Sequence, residues 1–183
     1  MDLRVERTKR SIKEAFIKLR KEKPLEKITV KELAELAFIN KATFYSHYQD
    51  IYDLSEQLEN EVVASIMDNL PSPEALLWNP RENARQLALA ISSQKGMLDT
   101  LFSGNRAALL EHKIEIYIGR KICDQYPELE ENMQGKIILS MLVHGGFYIF
   151  TQYGEKYNVK EVMQIIGDIN ECLVEKFIKV SEA

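Results

Sequence analysis

The chain has no run of about 18 apolar residues, the length a membrane-spanning helix needs, so no membrane partner is expected. Cysteine is scarce: Cys123 and Cys172 lie far apart, with no Cys-x-x-Cys and no Cys/His cluster. That spacing points to a reduced, buried pair rather than a disulfide. The three histidines, His47, His112 and His144, form no short-spaced ligand pair, so no metal is expected. There is no phosphate-binding Gly-rich loop and no Glu-x-x-His pattern, and no cofactor is expected. All eight glycines fall at or after Gly96, which leaves the first half with few flexible joints. The opening MDLRVERTKR lacks the apolar stretch of a signal peptide, so the expected location is cytoplasmic.

What the chain does contain is charge, unevenly placed. The 183 residues are 45% hydrophobic and 28% charged, the balance of an ordinary globular protein, and suffice for one large domain or two smaller ones. Net charge is −4, which taken whole argues against nucleic acid. Residues 1–50, however, carry 12 Lys/Arg against 8 Asp/Glu, and residues 51–183 carry 12 against 20. A basic head on an acidic body is the pattern of a phosphate-contacting segment, although a solvated charged helix has the same signature.

The periodicity is helical throughout. Ile12, Ala15, Phe16 and Leu19 recur at three- and four-residue steps, as do Val30, Leu33, Ala34 and Ala37, and no alternating strand or hairpin signal is present. The fold class is therefore all-α, with a boundary expected at about residue 50. Thr29 with Glu32 fits a capping box, Asn40 can cap the next helix, and Asp50 with Asp53 the one after. Three short, separately capped segments over residues 29–50 suit a compact helix-turn-helix better than a plain bundle. A longer helix follows over 51–69, then a proline-rich connector, 70-LPSPEALLWNP-80, and helices near 81–95, 97–103, 105–125, 128–153 and 158–180. In the last of these Val159, Val162, Ile166, Ile169, Leu173 and Val180 form one stripe. The helix before it offers Met133, Ile137, Met141, Leu142, Phe147, Tyr148 and Phe150. Surfaces this apolar have to be covered, and a homodimeric four-helix interface is the expectation.

The segment 40-NKATFYSHY-48 carries the chemistry. Phe44 and Tyr48 share a face with Leu33 and Ala37 of the preceding helix and read as core. The other side presents Lys41, Thr43, Tyr45, Ser46 and His47, with Ala42 small enough for close approach. A docked helix whose outer face is dense in donors fits the major groove, where base edges present donors and acceptors. Tyr45 and Thr43 can bond phosphate or base edges, Lys41 brings a mobile charge, and His47 can reach phosphate. Thr29 and the helix it opens offer amides for a further phosphate.

Residues 7–54 resemble the DNA-binding domain of TetR-family transcriptional regulators. The matching features are a first helix ending in a basic stretch, then 28-ITVKELAELA-37, 43-TFYSHY-48 and 50-DIYDL-54. The resemblance implies a helix-turn-helix DNA-binding domain over 1–50 and a C-terminal effector-binding and dimerisation domain over 51–183. It also implies an all-helical homodimer and a repressor released from a pseudo-palindromic double-stranded operator by a small effector. Thr29, Lys41, Thr43, Tyr45 and His47 match positions that touch DNA in the family, and Phe44 the position that packs the head. Two departures stand out. Phe38 occupies a turn position where the family has Gly, so it either adopts a positive φ under strain or shifts the turn. Ile51 occupies a slot where the family places a phosphate-binding Lys.

Beyond about residue 60 no motif identifies the effector. Trp78, Met97, Phe102, His112, Tyr117, His144 and Tyr148 are candidate pocket linings, each also explicable as ordinary core, and the expected effector is nonpolar or aromatic. Two other readings compete. His144-Gly145-Gly146 is similar to the oxyanion loop of some esterases, but that chemistry needs a Gly-x-Ser-x-Gly elbow and the sequence has none. A helical adaptor that binds another protein instead of an operator keeps the same fold.

Overall fold

Every regular element among the described residues is helical, as the periodicity predicts. The structure, a computed structural model, describes residues 3–68, 70, 75–127, 131–154 and 156–177. The chain divides into two compact units: unit 1 is Met1–Val62 with Gly96–Ala107, and unit 2 is Val63–Lys95 with Ala108–Ala183. The division differs from a boundary at residue 50. Unit 1 keeps the first part of the fourth helix and takes in a distant segment.

In unit 1, α1 (Leu3–Glu22) buries Ile12, Ala15, Phe16 and Leu19, the stripe its periodicity predicts. Each large side chain so buried contributes about 1.5–3 kcal/mol. Pro24 ends the helix, since the residue before a proline avoids helical backbone. α2 (Val30–Leu36) opens at Thr29, whose Oγ1 accepts the Glu32 amide at 3.3 Å. Only half of the expected capping box forms there, because the Glu32 carboxylate takes the Lys23 ammonium at 2.5 Å. α3 (Lys41–Tyr45) is capped by Asn40, whose Oδ1 accepts the Thr43 amide at 2.7 Å. α4 (Ile51–Asp68) opens with the reciprocal pair: Asp50 Oδ1 accepts the Asp53 amide and Asp53 Oδ2 accepts the Gln49 amide, both at 2.8 Å.

Between α2 and α3, Phe38 takes φ 55°, the positive value that the sequence offered as one of two alternatives. Its amide donates to Glu35 O and the Ile39 amide to Ala34 O, closing a Schellman turn whose left-handed residue is usually glycine. The Phe38 side chain is 94% exposed, so no packing compensates the strain. Phe38→Gly is therefore expected to stabilise unit 1. About 1–2 kcal/mol of left-handed strain is removed, against about 0.5–1 kcal/mol of added chain entropy in the unfolded state. Denaturant unfolding should show a net gain of up to about 1 kcal/mol; a loss contradicts this account of the turn.

The distant segment of unit 1 contains nearly all of α7 (Lys95–Leu101), in which Leu98, Thr100 and Leu101 are buried. Arg20, buried at the end of α1 rather than solvated, donates to Lys23 O, Leu101 O and Ser103 Oγ. Arg106, reached through Gly104 at φ 63°, forms a bidentate pair with Glu59 of α4. These contacts draw 96–107 into unit 1.

Unit 2 contains α5 (Ala75–Trp78), α6 (Pro80–Ser93), most of α8 (Ala107–Gln125), α9 (Met133–Ser140), α10 (Gly146–Tyr153) and α11 (Val159–Phe177). α5 lies inside the expected connector, of which residues 71–74 fall outside the described ones. Residues 128–130, expected to begin the next helix, also fall outside them, and the described part opens at the Asn132 cap. Met141–Gly145 forms a π-helical turn between α9 and α10. α6 and α11 approach closely at Gly167, where an added Cβ would lie 2.9 Å from Arg81 Cα. Arg81 closes that contact with ion pairs to Asp168 at 2.8 Å and Glu171 at 2.7 Å.

The stripe of α11 is displaced from the expected one. Val162, Ile166, Asn170 and Val174 are buried, while Ile169 is exposed and Val180 lies outside the described residues. Both cysteines are free thiols, but Cys172 is exposed rather than buried. No helix among the described residues is long and apolar enough to cross a membrane.

Candidate nucleic-acid interface

α3 is anchored from one side and open on the other. Phe44 is fully buried and Tyr48 nearly so, their rings 5.6 Å apart. Burial pushes the Tyr48 phenol up to about 12, so it stays neutral and serves as core. On the opposite side Lys41, Ala42, Tyr45 and Ser46 are exposed, and Thr43 and His47 are half-buried. Tyr45 sets its ring edge-on to Phe44 at 5.5 Å, which orients a phenol that is 57% exposed. Exposed Thr29 stands at the start of α2.

The hydroxyls are less available than the sequence suggests. Thr43 Oγ1 donates to Asn40 Oδ1 at 3.0 Å, and Ser46 Oγ donates to Thr43 O at 2.7 Å. Thr29 Oγ1 accepts within its own cap and keeps its proton, the group a phosphate would take. The outward donors are thus the Lys41 ammonium, the Tyr45 phenol, the Thr29 hydroxyl and the His47 ring. Sequence reasoning left out Arg7 and Arg10, which are exposed on α1. Ser11 Oγ donates to Ala37 O at 2.9 Å and ties that part of α1 to the turn before α3. The basic run was visible in the sequence; its place beside the turn was not, because it depends on a bond across 26 positions.

The seven effector candidates are divided between the two units. Met97 and Phe102 belong to unit 1, whereas the other five belong to unit 2. Trp78 Nε1 donates to Tyr126 Oη at 2.8 Å, and Tyr117 Oη donates to Asp68 Oδ1 at 2.9 Å. His112 is exposed, 3.6 Å from Glu115, and Tyr148 is exposed. The apolar cavity of unit 2, about 40 Å³, is instead lined by side chains such as Ala84, Ile114, Leu142, Phe147, Phe150 and Ile166. Two buried polar residues, Asn83 and Asn170, also face it. None of the seven lines this cavity. A π-turn spends one residue more than an α-turn, and the faces of α10 follow that extra residue.

His144 lies in that π-turn with a carboxylate on each ring nitrogen: Glu111 2.5 Å from Nδ1 and Glu115 2.9 Å from Nε2. A neutral imidazole has a single N–H, so two acceptor partners favour the imidazolium. Glu111 first, then Glu115, holds the His144 pKa above its ordinary value. Ser140, donating at 2.7 Å, and then His144 hold Glu115 below its own. His112 is the remaining titratable neighbour, through Glu115. The amide of Gly146 is bonded within the helix to Leu142 O and Val143 O, so this His-Gly-Gly segment is not an open amide loop. Among the described residues no group of His, Cys, Asp and Glu is placed to hold a metal.

The pH dependence follows from those directions. The His144 contribution is fully present below about pH 6.5, its unfolded value, and is lost as pH rises through the raised folded pKa. The Glu115 contribution is present above about pH 4.5 and is lost as pH falls through the lowered folded pKa. His144 is 40% exposed, so screening limits the effect to about 1 kcal/mol or less. His144→Gln should therefore destabilise the protein more at pH 5.5 than at pH 8.5 in urea unfolding. An equal loss at both would show that the ring is not held charged.

No family model, curated protein or solved structure matches the chain.

Proposed function

We propose that the chain is a TetR-type, DNA-binding transcriptional regulator that works as a homodimer in the cytoplasm and represses until a small effector releases it. The observation that carries this reading is the two-sidedness of α3. Phe44 and Tyr48 hold the helix to unit 1, while Lys41, Ala42 and Tyr45 face outward; Arg7 and Arg10 are exposed on α1, the helix that Ser11 ties to the turn before α3. Lys41 and the arginines supply phosphate contacts, and Tyr45, with Ala42 permitting close approach, reads base edges in the major groove. Ile51 is buried, so the phosphate contact that the family makes from that slot is lost here.

Dimerisation is supported by an uncovered apolar face. Met133 is 76% exposed, and Ile137, Met141 and Tyr148 continue the same line. Ile165, Ile169 and Cys172 lie exposed on α11, which runs antiparallel to α9 and reaches it through Gln134 Nε2 donating to Phe177 O at 3.1 Å. A second copy covers such a surface by forming a four-helix interface. Two α3 helices then enter successive major grooves. An effector held in unit 2 shifts the equilibrium by its differential affinity for the bound and released states.

The test is selection of bound duplexes from a random library. The expected outcome is two inverted half-sites with centres about 34–36 Å apart, or a multiple of that spacing. A single unrepeated motif, or no enrichment, would overturn the reading. One observation favours an adaptor instead: an aromatic at position 38, exposed and strained, is what a protein-contacting turn would carry. Absence of any DNA affinity together with capture of a single protein through Phe38 would favour that second reading.

A further inference from the structure

The apolar cavity of unit 2, at about 40 Å³, is far below the roughly 300–1,000 Å³ of small-molecule sites. Beside it, between α6 and α11, lies an open groove of about 680 Å³. The two spaces share two residues, Ala88 and Met163. Ala88 contributes a methyl group. Met163 contributes a flexible thioether, half-buried against the cluster of Ala84, Val162 and Ile166. An unbranched side chain with three rotatable bonds is the kind that can swing aside without disturbing its neighbours. The groove alone is of ligand size, and Met163, which lines both spaces, is the side chain whose rotation would extend it into the cavity.

The groove is amphipathic. Leu89 and Val159 expose apolar surface to it, and Arg81, Arg85 and Lys160 bring three cations against one lining carboxylate, Glu82. Arg85 Nη2 and Nε hold Glu82 at 2.5 and 2.8 Å, and Gln86 donates to it as well. Arg85 first, then Gln86, lowers the Glu82 pKa to about 2, so that carboxylate remains an ion already matched by its own arginine. Arg81 is matched by Asp168 and Glu171. Among the described residues no acceptor is placed on the Lys160 ammonium, and Lys160 is exposed and lines the groove with Val159 and Met163.

We infer that unit 2 binds an amphipathic anion, with an acid group on Lys160 and an apolar body along Leu89 and Val159 that passes Met163 into the inner cavity. Its role as the effector rests on the regulator reading above; the binding itself does not. The ligand class is narrower than a nonpolar molecule, because the acid is what Lys160 selects.

The test is titration calorimetry of the full chain with three ten-carbon probes: decanoate, 1-decanol and decyltrimethylammonium. Decanoate is expected to bind about tenfold or more tightly than decanol, and the cation weakest of all. Lys160→Gln should remove that tenfold preference and leave decanol unchanged. Met163→Phe, which fills the passage, should weaken decanoate and decanol alike, whereas volume-conserving Met163→Leu should bind within about threefold of the original chain. Equal binding of all three probes, tightest binding of the cation, or a preference that survives Lys160→Gln would overturn the inference. DNA binding measured on the same preparations separates the two proposals. Anion preference without DNA affinity leaves the ligand site standing and the regulator reading failed; DNA affinity without anion preference does the reverse.

Discussion

Replacing Arg106 with alanine is expected to cost unit 1 about 3–5 kcal/mol, the typical loss when one partner of a buried ion pair is removed. Glu59 is fully buried in α4 and is held by Arg106 Nε and Nη2, each at 2.7 Å, with Ser55 Oγ donating at 2.8 Å. Most of the cost arises from the carboxylate left behind without its cation, and not from any large net stabilisation by the pair itself. Two results should therefore differ sharply. Arg106→Ala should lower the urea midpoint severely, since stabilities of single domains are only about 5–15 kcal/mol. The double replacement Glu59→Met with Arg106→Met should lower it much less. A single-variant loss below about 1 kcal/mol would mean that the pair does not hold 96–107 in unit 1.

The second large effect concerns α3. Lys41→Ala and Tyr45→Ala each remove an exposed side chain, Tyr45 giving up only its edge contact with Phe44, so fold and oligomeric state should be retained. Each should weaken operator binding by about tenfold or more, the scale of one lost phosphate or base contact. The two losses differ in kind. Lys41→Ala should weaken all DNA similarly and reduce the salt slope by about one counterion per subunit, whereas Tyr45→Ala should relax preference at particular base pairs. Unchanged affinity in both variants would mean that α3 is not the recognition element.

How much of this could be read from the sequence depended on the range of the interaction. Caps at Thr29, Asn40 and Asp50 were legible because each is settled within three residues, and the core stripe of α1 because its period is regular. Glu32 was misassigned at the first step beyond that range, when Lys23 competed for it. The extent of unit 1 was out of reach because Glu59 and Arg106 meet across 47 positions. That none of the seven effector candidates lines the cavity has a different reason. They were chosen by residue type, yet aromatic and histidine side chains such as Trp78, Tyr117 and His144 found hydrogen-bond partners outside the cavity.

One signal was overlooked. Asn170 stands at four-residue spacing between Ile166 and Val174, a polar residue in the middle of an apolar stripe, and it is buried facing the cavity. A buried polar group in such a place is the mark of a site or of a satisfied core bond, and it is a better guide than ring chemistry. Phe38 was legible in part: the resemblance placed a glycine at that turn and left two alternatives, a positive φ or a shifted turn, and the phenylalanine adopts the first.

The most direct test of the central claim is a titration of the purified chain against DNA from upstream of its own gene, with a competitor fragment, at 50 and 200 mM salt. The expected result is tight binding in preference to the competitor. Lys41, Arg7 and Arg10 from two subunits imply about six phosphate contacts, so affinity should fall of order a thousandfold between the two salt concentrations. Binding that neither prefers this DNA to the competitor nor weakens with salt would contradict the account.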